Sequence, residues 1–181
     1  MTPFVEQLNY LLGLGALFLQ VSAAILALSI VFRHSVTVAR TIVEFIGYWG
    51  LWISLALSLF ASALSLYYSE VVGMLPCSLC WLQRVFLYPQ IIMLALAIRM
   101  KDRAIVAYSL ALSAIGGAIA LYHHILQMGG AGSLPCPASG TVSCAQRLIF
   151  EWGYITFPLM SFSVFLFLIA AMLAVRTRNI P

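Results

Sequence analysis

Charge is what this sequence has least of. Only 8% of its 181 residues are Asp, Glu, Lys or Arg, against about 25% in a soluble domain. That shortage excludes an ordinary hydrated surface. With 64% of residues hydrophobic, most of the chain must face lipid or other helices. Alternating apolar and polar runs are also missing, which argues against the strands of a membrane barrel. No internal repeat or low-complexity linker divides the chain, so a single bundle is expected. No Lys or Arg precedes the first apolar run, which carries Glu6 at its start. It is also longer than a secretory signal core, so a retained helix is expected rather than a cleaved leader. Cysteine is confined to four positions: Cys77, Cys80, Cys136 and Cys144.

What is present is five continuous apolar runs, at about 8–32, 47–68, 79–98, 104–126 and 153–175. Each is close to the roughly 20 residues that a spanning helix needs. The fold class predicted is therefore an all-α integral membrane protein, a bundle of about five transmembrane helices. The net charge of +4 raises the question of nucleic acid or an anionic surface. Placement answers it. Arg33 and Arg40 follow the first run, Arg99, Lys101 and Arg103 lie between the third and fourth, and Arg176 and Arg178 close the sequence. Basic residues in alternate loops are what the positive-inside rule expects. They predict an N-terminus outside and a C-terminus in the cytoplasm, with no nucleic-acid partner. The connections around 69–76 and 127–152 then lie on the outer side, where disulfides form and persist.

Cys77 and Cys80 sit in Pro76-Cys-Ser-Leu-Cys-Trp81. Pro76 suits the first position of a helix, which would put both cysteines in its first turn, on one face. The positive end of a helix dipole favours a thiolate. Arg84 falls one turn deeper than Cys80. An arginine within a spanning segment costs at least about 2.5–3.5 kcal/mol on insertion scales, so it needs a role, such as stabilising a thiolate or a reduced anionic acceptor. Snorkelling to the headgroups is the plainer reading. A structural disulfide or a metal site is the plainer reading of the cysteines. A Cys₄ zinc site would draw on all four, although the spacing of Cys136 and Cys144 is not a usual zinc half-site.

The second pair flanks a loop rich in Gly, Pro and Ser. A disulfide across it closes a short ring, worth roughly 2–3 kcal/mol by chain entropy. That makes a weak staple, and an exposed bond is open to thiol attack. A relay suits this layout: the loop meets a soluble partner and the CxxC meets something in the lipid. Tyr122-His123-His124 lies near the same end of the fourth run, where a histidine could hold a carbonyl or carry protons. Gly116-Gly117 suits close helix packing, and Pro89 and Pro158 are expected to kink or loosen their helices.

CxxCxxxR at Cys77–Arg84, then Tyr122-His123-His124, then Cys136 and Cys144, and the Glu151–Pro158 approach to the last run together resemble the DsbB/BdbC family of membrane disulfide-generating proteins. The resemblance covers about residues 50–175. It implies a DsbB-like four-helix redox domain over 46–181, preceded by an added helix and cytoplasmic loop over 1–45. It implies that Cys136 and Cys144 accept electrons from a DsbA-like thioredoxin-fold thiol oxidase and pass them to Cys77 and Cys80. A membrane quinone, ubiquinone or menaquinone, would be the final acceptor, held by Cys80, Arg84 and His124; His123 matches the family less well. The protein would lie in the bacterial cytoplasmic membrane with both cysteine pairs outside it. The close loop pair is similar to short-loop, BdbC-type members. Two rivals stand beside this reading. One is a vitamin K epoxide reductase-like enzyme, whose loop cysteines precede the CxxC rather than follow it. The other is a non-enzymatic membrane protein with structural or metal-binding cysteines.

Overall fold

A computed structural model describes residues 3–129, 143–147 and 149–178. Five helices are long and apolar enough to cross a membrane. They are α1 (Pro3–Phe32), α2 (Thr37–Leu66), α3 (Ser78–Met100), α4 (Ile105–Gln127) and α5 (Phe157–Arg178). The chain is therefore a multi-pass helical membrane protein. Helices α1, α2 and α3 outrun their apolar stretches. Helix α2 starts at Thr37 rather than near residue 47, and within the added stretch Arg40 and Glu44 pair at 2.8 Å, one turn apart on an exposed face. An ion pair at this spacing supports a helix that hydropathy does not register. At its other end α2 runs into a π-helical turn, Tyr67–Val71.

Helix α5 is the hub. Phe165, Leu168, Ala171, Met172 and Ala174 are almost wholly buried, and α1, α2 and α4 all pack on it. A helix apolar on every side belongs inside a bundle. Small residues let its neighbours come close. A β-carbon at Gly50 of α2 would lie 2.6 Å from Val175, and one at Gly116 of α4 would lie 2.5–3.0 Å from three ring atoms of Phe165. Gly116 thus does the close-packing work expected of it. Polar pairs tie the helices where water cannot. Buried Gln90 of α3 donates to Ser113 at 3.2 Å and accepts from Ser109 at 2.7 Å, both on α4. Gln20 of α1 donates to Ser163 of α5 at 2.9 Å.

Two local expectations change. Pro76 is not the first helical residue of α3. Cys77 is the N-cap, with extended φ/ψ of −72° and 173°, so the helix begins one residue later than a proline in its first position would have it. Pro158 loosens nothing, since it lies in the first turn of α5, where its missing N–H has no intrahelical partner to lose. Helix α3 is continuous through Pro89, where the Gln90 side chain bonds back to the Phe86 carbonyl at 3.0 Å. Strands are absent from the spanning segments, but a two-residue antiparallel ladder, β1 (Phe150–Glu151) with β2 (Ile155–Thr156), leads into α5. Its turn places Trp152 and Gly153 at φ of 48° and 78°. The Trp152 strain is offset by its ring, which meets Tyr10 edge-on at 5.2 Å and lies over Gly13 of α1.

Gly116→Ala should cost about 1–3 kcal/mol by overpacking against Phe165, whereas Gly15→Ala, whose new methyl group meets nothing within 4 Å, should cost none. Thermal unfolding of both variants in one detergent checks this; equal midpoints would mean that the Phe165 ring yields freely.

Candidate functional site

The local sequence builds the site at one end of the bundle. After the π-turn, Gly73 adopts a left-handed φ of 77°, and the chain runs extended through Pro76 to the Cys77 cap. The first helical bond of α3 is Trp81 N–H to the Cys77 carbonyl at 3.1 Å. Cys80 therefore sits in the first turn, within the positive end of the helix dipole. The two sulfurs lie 3.2 Å apart and share a hydrogen bond. Cys77 is buried and Cys80 half-buried, and both are thiols.

Cys144 comes back to this cap. It is 1% exposed, packed with Cys77, Leu79 and Leu126, and disulfide-bonded. Its Sγ lies 3.6 Å from Ser78 Oγ. Cys136, the other loop cysteine, lies outside the described residues. Three bonds from α4 anchor the Cys144 segment. His123 Nε2 is 3.1 Å from the Cys144 carbonyl. Gln127 donates to the Gln146 carbonyl at 3.0 Å, and Arg147 donates to the Gln127 carbonyl at 2.6 Å.

His123 joins the two cysteine segments. A carbonyl can only accept, so Nε2 carries the proton, and Nδ1 accepts from Gln83 Nε2 at 3.0 Å. The same Nε2 lies 3.7 Å from Cys77 Sγ. The hydrogen bond from Cys80 pulls the Cys77 thiol well below its ordinary range; burial opposes this, and His123 adds to the pull. Cys77, Cys80 and His123 also have their donor atoms within 4.8 Å of one another, a spacing that could hold a soft cation. A four-cysteine site is another matter, because Cys144 is committed to its disulfide.

Arg84 is buried rather than snorkelling. Its Nε donates to Ser65 Oγ at 2.9 Å and its Nη2 to the Ser65 carbonyl at 2.8 Å, both at the end of α2. The guanidinium stacks 5.0 Å from the Trp81 ring centre. His124 faces another way. Its Nδ1 is 2.8 Å from Thr156 Oγ1, which also accepts the Leu159 N–H and so caps α5. His124 thus helps to position α5, while His123 is the histidine beside the cysteines. A largely apolar cavity of about 350 Å³ opens against the site and is lined by Cys77, Cys80, Gln83, Arg84 and His123; His124 is not on its wall. Gln83, Gln127 and Ser65 escaped the sequence reading. Gln83 carried a signal, since a glutamine beside an arginine in a spanning run needs a partner.

The sequence profile of "Disulfide bond formation protein DsbB" matches residues 47–176. The chain belongs to the DsbB family. It is 46% identical over 105 residues to the SPbeta prophage-derived disulfide bond formation protein B of Bacillus subtilis, covering 58% of this chain and 70% of that one. It is 40% identical over 104 residues to the probable disulfide formation protein C 1 of Bacillus anthracis, covering 58% and 75%. Against the disulfide bond formation protein C of Bacillus subtilis it is 36% identical over 124 residues, covering 67% and 88%. No solved structure matches the chain.

In the reduced DsbB-family protein, alkylation of Cys77 should remain fast well below pH 8.5, the approximate midpoint of a free thiol. Cys80→Ala should move that profile upward, because the largest cause of the depressed value is removed. His123→Ala should move it upward by less. Mass spectrometry of the alkylated peptide across pH reads the shift, and an unmoved profile in Cys80→Ala would rule out the Cys80 hydrogen bond as its source.

Proposed function

We propose that the protein is a quinone-dependent thiol–disulfide oxidoreductase that reoxidises a DsbA-like thioredoxin-fold partner. One observation carries the reading. The disulfide-bonded Cys144 packs against the CxxC cap, on a cavity that also holds Cys80 and Arg84. A loop disulfide, a membrane-edge dithiol and an apolar chamber are the three stations that such a relay needs.

The chemistry runs as successive exchanges. A thiolate of the reduced partner attacks the loop disulfide at Cys136. Cys144, buried under the cap, is out of a protein partner's reach and leaves as thiolate. It attacks the oxidised CxxC at Cys77, the member packed with it, and Cys80 leaves as thiolate. The partner's second thiolate displaces Cys136, so the partner departs oxidised. Cys136 then attacks the Cys77–Cys144 bond, which restores the loop disulfide and leaves Cys77 and Cys80 reduced. His123, donating from Nε2, stabilises charge on Cys77 as that sulfur is exposed and released. Arg84, fixed by Ser65, holds positive charge beside Cys80.

The cavity suits a quinone as electron acceptor: apolar walls, a guanidinium at one end and a dithiol beside it. When bound, a quinone takes up the two electrons and two protons of the dithiol and leaves as quinol, restoring the Cys77–Cys80 disulfide. Ubiquinone and menaquinone both answer to this chemistry. The basic stretches at 33–40 and 99–103 and the basic end of α5 lie away from the cysteines along their helices. With the positive-inside rule, this supports cysteines on the extracytoplasmic side of the bacterial cytoplasmic membrane. The division into an added segment, 1–45, and a redox domain, 46–181, belongs to the same reading, although its boundary falls inside the continuous helix α2 rather than in a loop.

The test is quinone reduction by the purified protein supplied with a reduced DsbA-like protein. Cys80→Ser and Cys144→Ser should each abolish turnover, a loss of at least about a thousandfold, while Cys144→Ser still binds quinone. Arg84→Ala should lower turnover with quinone and spare exchange between the cysteine pairs. Activity that survives Cys144→Ser would break the relay; absence of turnover together with tightly bound metal would favour a cation site at Cys77, Cys80 and His123.

A further inference from the structure

Helix α1 lies wholly outside the stretch that matches the family, residues 47–176. It is nevertheless part of the cavity wall. Leu12, Gly15, Ala16, Phe18 and Leu19 all line the chamber that reaches Cys80 and Arg84. Positions 12, 15, 16 and 19 recur at three- and four-residue steps, so they share one helix face. From Leu12 to Leu19 this face extends about 10 Å along the axis. Across from it α2 contributes Leu57, Ala61 and Leu64.

Gly15 gives this wall its shape. A β-carbon there would meet nothing within 4 Å, whereas those at Gly13, Gly50 and Gly116 would press on neighbouring side chains. Gly15 keeps space open. The chamber is rimmed by Phe18 of α1 and Phe60 of α2, which are 71% and 60% exposed and lie within spanning helices. The opening between α1 and α2 therefore faces the hydrocarbon rather than water. The wall is also fixed in place: Gln20 bonds Ser163, Tyr68 donates to Asn9, and Ala23 and Leu26 are buried in the cluster that includes α5.

We propose that α1 forms the tail-binding half of the acceptor site. The isoprenoid chain of a membrane quinone lies between α1 and α2 along Gly15, with the ring at Cys80 and Arg84. This rests on the quinone reading above. It adds that α1 determines specificity for tailed acceptors. The argument for the occupant is continuity: one apolar channel runs from the redox pair to a lipid-facing mouth. An apolar tail enters such a mouth from the lipid with no polar group to desolvate, and is held there by packing contacts rather than by transfer from water.

Gly15→Leu projects into the channel from a position where a β-carbon meets nothing within 4 Å, and Leu28→Phe, on the exposed face of α1 away from the cavity, serves as control. Both full-length variants and wild type are assayed with a tailless benzoquinone and with the same ring carrying an isoprenoid tail. Gly15→Leu should raise KM for the tailed quinone tenfold or more. It should change KM for the tailless ring less than twofold, and leave exchange between Cys144 and the CxxC unaltered. Unchanged KM for the tailed quinone, or equal loss with both quinones, would overturn the proposal while the quinone reading stands. A wild-type protein that reduces neither quinone would overturn both. As a second measurement, a quinone with a photoreactive azide on its tail should label residues 12–19. Label recovered only from α2–α5 would remove α1 from the site.

Discussion

Hydrocarbon offers no hydrogen bonds, and most of the internal order of this chain follows from that constraint. An unpaired polar group in such a medium costs several kcal/mol, so a partner on another helix is worth much to a buried polar side chain, although the buried hydroxyls of Ser54, Ser58 and Ser62 on α2 and of Tyr88 on α3 have none among the described residues. Gln90 finds Ser109 and Ser113, Gln20 finds Ser163, Tyr68 finds Asn9, and Arg84 finds Ser65. These pairs fix which helices are neighbours and in what register. Lipid-facing Leu and Phe cannot do so, because lipid tails are as apolar as they are. At the redox end the same constraint gathers Gln83, His123, Gln127 and the Cys144 carbonyl into one connected set. The reactive cysteines are thus held by groups that had to be satisfied in any case.

The architecture was legible because it depends on composition over long windows. Continuous apolar runs and alternating basic loops do not need tertiary information, and five spanning helices are found where five were read. Helix ends were less legible. Helix α2 runs through residues around the Arg40–Glu44 pair that hydropathy counts as loop, and the cap of α3 falls one residue beyond Pro76. The site was legible in its kinds of residue but not in its contacts. Adjacent histidines on a helix point about 100° apart, so only one can face the cysteines, and nothing in Tyr122-His123-His124 says which. Gln127 and Ser65 were invisible for a similar reason. A polar residue near a helix end is unremarkable until the element across from it is known.

The added helix changes what the four-helix region has to do alone. Helix α5 is buried from several sides, and α1 covers one of them through the cluster of Ala23, Leu26, Val43, Phe167 and Ala171. The hairpin ahead of α5 leans on α1 through Trp152 and Tyr10. Helix α1 is therefore integral to the bundle. Its second effect is on the cavity, since a chamber walled by α2, α3 and α5 would be a broad lipid-facing groove without it.

The placement of the two CxxC cysteines suits the proposal that one motif serves two redox neighbours. Cys77 is the cap residue, outside the helix proper, in the buried cluster with Cys144 and beside the His123 ring. Cys80 is within the first turn, one helical turn above Arg84. A disulfide attacked at Cys77 must expel Cys80, because the two sulfurs are the only parties to that bond. The leaving thiolate is then generated within the helix dipole and near a fixed guanidinium, where negative charge costs least. The reverse assignment would expel Cys77 toward the loop and leave Cys80, the sulfur nearer Arg84, locked in a mixed disulfide. Arg84 is held by two bonds to Ser65 and needs no rearrangement to receive the charge. In the proposed relay, transfer from loop to helix to lipid is thus favoured by where the chain puts a cap residue and an arginine two helical turns apart.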